Sequence, residues 1–203
     1  MAQAEKNAFK QDGVFYKAVA MGVSFGGLEA LRTLLPLLVP DFPAPIMVIQ
    51  HHDPQANDFL ANYLDNLCRI RVKTAEEKEK VEPGVAYLAP ANYHLLIEDD
   101  HTLSLSVDEK VHFARPAIDV LFESAADAYG SRLIGVILTG ANQDGSQGLR
   151  IIKECGGLAV VQDPKSAVAP SMPEAALAAT EVDYVLSLNE IGDLLNNIMV
   201  RET

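Results

Sequence analysis

Apolar residues along the chain fall into short runs, and the runs alternate between two spacings. Lys17–Val23 (KAVAMGV) is apolar almost throughout and is bounded by glycine, which predicts a buried strand. Leu28–Leu38 carries leucine at 28, 31, 34, 35, 37 and 38, close to the spacing of a helix with one buried face. The alternation continues. Ile46–Gln50 predicts a second buried strand, and 58–67 places Phe59, Leu60, Tyr63, Leu64 and Leu67 on one helical face. Ile70–Thr74 predicts a third strand, followed by a charged, solvated turn at Glu76–Lys80. Val85–Leu88, Leu95–Ile97 and Leu103–Leu105 are short runs separated by Pro90-Ala91-Asn92 and Glu98-Asp99-Asp100. Their spacing predicts a local antiparallel hairpin insert. Beyond it the pattern predicts a helix at 118–129, a strand at 133–138, a helix at 147–154 and a strand at 158–161. A short helix opened by proline follows at 173–180, then a strand at 182–186 and a helix at 191–199. Strand–helix alternation with continuous apolar strands predicts an α/β fold: three-layer, doubly wound, with a mostly parallel sheet and an antiparallel hairpin insert adding an edge. Residues 1–16 read as a polar N-terminal leader and 17–203 as one domain.

Composition narrows the function. The 203 residues are 49% hydrophobic and 22% charged, enough apolar chain for a core and unlike a disordered segment. The net charge of −12 argues against sequence-independent nucleic-acid binding, which needs a basic stripe to displace counterions from phosphates. It argues equally against an anionic membrane surface. The first residues hold no secretory apolar region, and no run approaches the roughly 18 residues that span a bilayer. The expected location is the cytoplasm. Cys68 and Cys155 lie far apart without a C-x-x-C motif, so the expectation is two buried thiols in a reducing compartment.

In open α/β sheets, ligands bind beyond the carboxyl ends of the strands. Four segments sit there: Gly22-Val23-Ser24-Phe25-Gly26-Gly27, Gln50-His51-His52-Asp53, Thr139–Gly145 and Gln162-Asp163. A serine, a histidine and an aspartate thereby reach one edge from separate strands, which is the set needed for nucleophilic acyl transfer. Serine needs a base to take its proton, and a carboxylate orients the imidazole and stabilises its cation. Each segment also has a plainer reading. The glycine turn fits a phosphate site but lacks G-x-G-x-x-G spacing. Adjacent histidines diverge in an extended segment, against a metal site. An aspartate before a helix is often its cap. Spacing does not choose among Asp53, Asp144 and Asp163.

Taken together, six collinear motifs between about Lys17 and Met199 resemble the catalytic domain of the CheB-type chemoreceptor methylesterases. They are Gly22–Gly27 for G-x-S-x-G-G, Gln50–Pro54 for Q-H-M-P and Ala89–His94 for A-P-G-x-x-H. Arg115–Phe122 stands for R-P-S-V-D-x-L-F, Leu138–Gly145 for L-T-G-M-G-x-D-G, and Met172–Ala175 for M-P-x-A. The resemblance implies Ser24 as nucleophile, His51 as general base and Asp144 as orienting carboxylate, with no metal or organic cofactor. It implies hydrolysis of glutamate γ-methyl esters on the cytoplasmic helices of chemoreceptors, and glutamine deamidation by the same acyl chemistry. Backbone N–H groups of the Ser24 turn are the expected oxyanion donors, and the family also implicates the Ala141 loop, where a backbone N–H survives the change from methionine. Phe25 and Ala141 are therefore carried as oxyanion or substrate residues, and Arg115 as a candidate for substrate docking. The sequence departs from the family pattern at Phe25, usually small and polar, at Ala141-Asn142, usually Met-Gly, and at His52, usually methionine. These departures motivate an alternative: a regulatory or binding module of the same fold with impaired catalysis. The polar stretch before the first strand is too short for the phosphoacceptor domain that many family members carry, which leaves three expectations open: a stand-alone esterase, a receiver or scaffold protein on a separate chain, or a sequence trimmed of its receiver.

Overall fold

The computed structural model describes residues 15–51 and 59–199. The strands are β1 (Ala18–Val23), β2 (Ile46–Gln50), β3 (Arg71–Thr74), β4 (Val85–Leu88), β5 (His94–Ile97), β6 (Leu103–Ser106), β7 (Leu133–Ile137), β8 (Leu158–Gln162) and β9 (Tyr184–Leu186). The α-helices are α1 (Gly27–Leu34), α2 (Phe59–Asp65), α3 (Ile118–Tyr129), α4 (Ser146–Glu154), α5 (Ser171–Ala179) and α6 (Leu188–Ile198). Seven strands form one sheet in the order β3-β4-β2-β1-β7-β8-β9, and every pairing in it is parallel. The chain winds outward from β1 in one direction and then from β7 in the other. The switch between the two directions lies between β1 and β7.

β5 and β6 pair antiparallel as a separate two-stranded sheet. This refines the expected insert in two ways. β4 is not part of it but lies between β3 and β2, buried at all four positions. Nor does the hairpin add an edge to the main sheet. A four-residue apolar run reads alike as a hairpin strand or a sheet strand, because periodicity says nothing about the partner.

The sheet is covered on both faces. Val19, Met21 and Val23 of β1 face the layer of α1, α2 and α6, with Leu31, Leu34, Leu64, Leu194 and Leu195 fully buried there. Each such leucine contributes about 1.5–3 kcal/mol of transfer free energy as an upper figure. Ala18 and Ala20 face the layer of α3, α4 and α5, joined by Leu95 of the hairpin. The small residues on that side let α3 approach closely: a Cβ at Gly22 would lie 2.4 Å from Ile118 Cγ2.

Several boundaries shift for local reasons. The leucine-rich helix stops at Leu34 and continues as a 3₁₀ turn, Leu35–Leu37, because Pro36 lacks the N–H that an α-helix would need. α5 starts at Ser171, so Pro173 sits in the first turn, where its missing N–H costs nothing. α6 starts at Leu188 rather than 191, set by a capping box between Ser187 and Glu190. The turn at 76–80 is charged as expected, yet it is tied down: Glu77 accepts the Leu105 N–H at 2.6 Å. Cys155 is exposed, which corrects the expectation of two buried thiols, while half-burial pushes the Cys68 thiol up to about 11, with Asp65 adding to the effect. Among the described residues no helix is long and apolar enough to cross a membrane.

Candidate active site

Ser24 is the first residue after β1. Its N–H donates to the Thr139 carbonyl beyond β7 at 2.9 Å, and its carbonyl accepts the Gly27 N–H at 2.9 Å. The turn passes through Gly26 at φ 80, a left-handed conformation that an L side chain resists, and a Cβ there would meet Val168. Two of the turn's N–H groups, those of Ser24 and Gly27, are thus committed to carbonyls.

His51 follows β2, and its N–H donates to Val23 O at 3.1 Å. Gln50, the last residue of β2, bridges these two segments. Its Nε2 donates to Ser24 O at 3.1 Å and to His51 O at 2.7 Å. Its Oε1 is buried without a hydrogen-bond partner among the described residues and presses on Gly27, where a Cβ would lie 1.9 Å away. The sequence marked Gln50 only as a motif letter.

Asp144 lies in the loop after β7 and is fully buried. Its Oδ2 sits 2.8 Å from His51 Nε2 and accepts the Ile118 N–H at 2.8 Å, while Oδ1 accepts the Asp119 N–H at 3.0 Å. The plainer reading of this aspartate, a cap for the helix that follows it, is corrected. The N-cap of α4 is Gly145, and Asp144 instead serves the first turn of α3, whose free N–H groups and dipole suit a carboxylate. Gly22, Gly145 and Gly148 make this possible, since a Cβ at any of them would strike Ile118 or Phe122 at 2.4–2.6 Å.

The carboxylate accepts from Nε2, so the imidazole proton lies there and the Nδ1 lone pair faces Ser24 Oγ at 3.1 Å. The structure thus brings Ser24, His51 and Asp144 into one hydrogen-bonded chain. Asp163 caps the short turn Pro164–Ser166 through the Lys165 N–H and takes no part. His52 and Asp53 lie outside the described residues.

Asn142, noted in the sequence only as a departure from the family pattern, joins this group through its side chain. Its Oδ1 accepts the Asp144 N–H at 3.2 Å, and its Nδ2 lies 3.4 Å from His51 Nδ1. A second histidine–carboxylate pair stands behind the first. His112 Nε2 is 3.1 Å from Asp119 Oδ2, and Asp119 Oδ1 accepts the Gly148 N–H at 2.7 Å. Burial raises the Asp119 carboxyl above its ordinary range, with the charge of Asp144 adding to the rise and Gly148 and His112 opposing it. His112, Asp119 and Asp144 offer atoms within 4.8 Å of one another, a spacing a metal would accept. All four carboxylate oxygens, however, already accept hydrogen bonds.

A cavity of about 360 Å³ is lined by Ser24, His51 and Asn142 together with Lys110, His112 and Arg115. Phe25 and Ala141 do not line it. The Phe25 side chain is 65% exposed, and its carbonyl accepts from Thr139 Oγ1 at 2.9 Å. The Arg115 guanidinium is spoken for: it donates to Asn92 Oδ1 at 2.8 Å, Val107 O at 2.6 Å and Asp108 O at 2.9 Å.

Residues 19–195 match the family model for the CheB methylesterase. A protein of Leptospira interrogans, provisionally named a protein-glutamate methylesterase/protein-glutamine glutaminase, is 54% identical over 179 residues, covering 88% of this chain and 93% of that one. A Pseudomonas putida protein-glutamate methylesterase/protein-glutamine glutaminase is 42% identical over 178 residues, or 87% of this chain; the match spans 48% of that longer protein. The crystal structure of the Thermotoga maritima CheB methylesterase catalytic domain superposes with a TM-score of 0.86 at 37% identity, covering 90% of this chain and 98% of that one.

Proposed function

The chain belongs to the CheB methylesterase family, and from that premise we propose that it is a serine esterase cleaving glutamate γ-methyl esters on the cytoplasmic helices of chemoreceptors. The observation that carries the chemistry is the unbroken chain from Ser24 Oγ through His51 to Asp144. Ser24 attacks the ester carbonyl while His51 Nδ1 takes its proton. The carbonyl electron pair moves to oxygen, and the resulting imidazolium is stabilised through Nε2–H by Asp144. Collapse of the intermediate expels methoxide, which takes the proton from Nδ1 and leaves as methanol. Water then attacks the acyl-serine by the same proton route in reverse. A glutamine amide would follow the same path with ammonia as the leaving group.

Arg115 acts in this reading by holding the wall of the cavity, through Asn92 and the carbonyls of Val107 and Asp108. Its effect on substrate binding passes through that wall. The intact hydrogen-bonded chain disfavours the alternative of an inert binding module. Release of labelled methanol from methylated chemoreceptor membranes tests the reading. The expected result is a rate that vanishes in Ser24→Ala; a fully active variant would overturn it.

A further inference from the structure

The His51 Nδ1 atom has one in-plane lone pair, yet two groups converge on it. Ser24 Oγ stands at 3.1 Å and the Asn142 side-chain amide at 3.4 Å. The orientation of the amide is fixed, because its oxygen is held by the Asp144 N–H at 3.2 Å. The NH₂ group therefore faces the reacting side of the imidazole, and Asn142 lines the cavity beside Ser24. In the resting site the shorter, hydroxyl contact holds the lone pair, and the amide makes only a marginal bond at the limit of hydrogen-bond distance.

Proton transfer changes this balance. Once the Ser24 proton has moved to Nδ1, that nitrogen is a donor and repels the amide N–H. At the same moment the carbonyl oxygen attached to the new Ser24 ester carbon becomes an oxyanion, on the cavity side where the amide points. The backbone supplies fewer alternatives than the turn suggests, since the Ser24 and Gly27 N–H groups are already bound to carbonyls.

We propose that the Asn142 side-chain amide is a catalytic oxyanion donor, weakly occupied in the resting enzyme and released onto the tetrahedral intermediate by protonation of His51. The role rests on the esterase reading above. A donor realised only after proton transfer stabilises the transition state and not the bound ester, so it raises kcat and leaves KM alone.

Asn142→Ala, Asn142→Asp and Ser24→Ala are compared with the wild-type chain for methanol release from methylated receptor membranes, with Tm measured alongside. Asn142→Ala removes both amide functions. Asn142→Asp keeps an acceptor for the Asp144 N–H but deletes the donor. The expected result is a fall in kcat of about 10²–10³-fold in both Asn142 variants, with KM within about threefold of wild type. Wild-type kcat in Asn142→Ala would overturn the proposal. So would recovery of activity in Asn142→Asp, because the amide would then serve only to anchor the loop. Should Asn142→Ala fail to fold, the Asp variant decides alone. Activity surviving in Ser24→Ala would instead overturn the esterase reading itself, which keeps the two failures apart.

Discussion

At the scale of single residues, the site depends on one buried carboxylate satisfied by a helix and another left under tension. Asp144 accepts three N–H groups, two of them from the first turn of α3. Asp119 has fewer donors and a like charge beside it, and burial lifts its carboxyl above the ordinary range. The native state therefore holds the Asp119 proton more tightly than the unfolded chain does. That contribution to stability is fully present below the unfolded value of 3.8 and is lost as pH rises through the raised folded value. Asp119→Asn keeps an oxygen for the Gly148 N–H and carries no charge. Its Tm relative to wild type should rise as pH climbs from 3.8 through the raised folded value, by roughly 2–4 °C for each kcal/mol of relieved penalty. Thermal melts across that range check this, and a flat difference would show that the buried charge is harmless. Their positions after β1, β2 and β7 made Ser24, His51 and Asp144 candidates but left Asp53 and Asp163 equally open, and only the family resemblance pointed to Asp144. Gln50 and Asn142 were not legible, because an amide has no signature until its partners are placed.

At the scale of elements, α3 is the part on which the geometry turns. Its N-terminal turn receives Asp144, and it reaches that position only because β1 and α4 present glycine where it passes. Gly148 offers the clearest test. A Cβ there would lie 2.5 Å from Phe122 Cβ and 3.2 Å from the Asp119 backbone, neither of which is the free end of a flexible chain. Gly148→Ala should push α4 away from α3, costing about 1–3 kcal/mol of stability. It should also lower esterase activity disproportionately, because the Asp119 and Ile118 N–H groups move with the helix. Tm and methanol release measured on the same preparation separate these effects. An unchanged Tm would mean that the helices yield at no cost. The sequence marked this helix at 118–129, matching the observed bounds, since its apolar period is strong. It missed the place of β4, whose partners are decided by distant segments.

At the scale of the whole molecule, the strands stay parallel but the direction in which the chain adds them reverses between β1 and β7, and the candidate catalytic residues gather beyond the carboxyl ends of β1, β2 and β7 at that switch. The net charge of −12 means that long-range fields would not draw an acidic partner toward this chain. Screening acts within about 10 Å at 0.1 M salt. Raising salt from about 20 to 200 mM should therefore leave KM for methylated receptor helices unchanged or lower it. A steep rise in KM would point to a complementary basic patch around Lys110 and the cavity rim. By itself the sequence determined the α/β class, most element positions and a set of strand-end candidates with the aspartate left open, because apolar periodicity and glycine punctuation are local properties of the chain. Only the tertiary structure decided which aspartate meets His51, that Asp144 caps a helix 26 residues before it, and that an asparagine amide faces the base. Those outcomes depend on distances between segments remote in sequence. Such distances are set by how closely helices can pack on the sheet, a property no single segment carries.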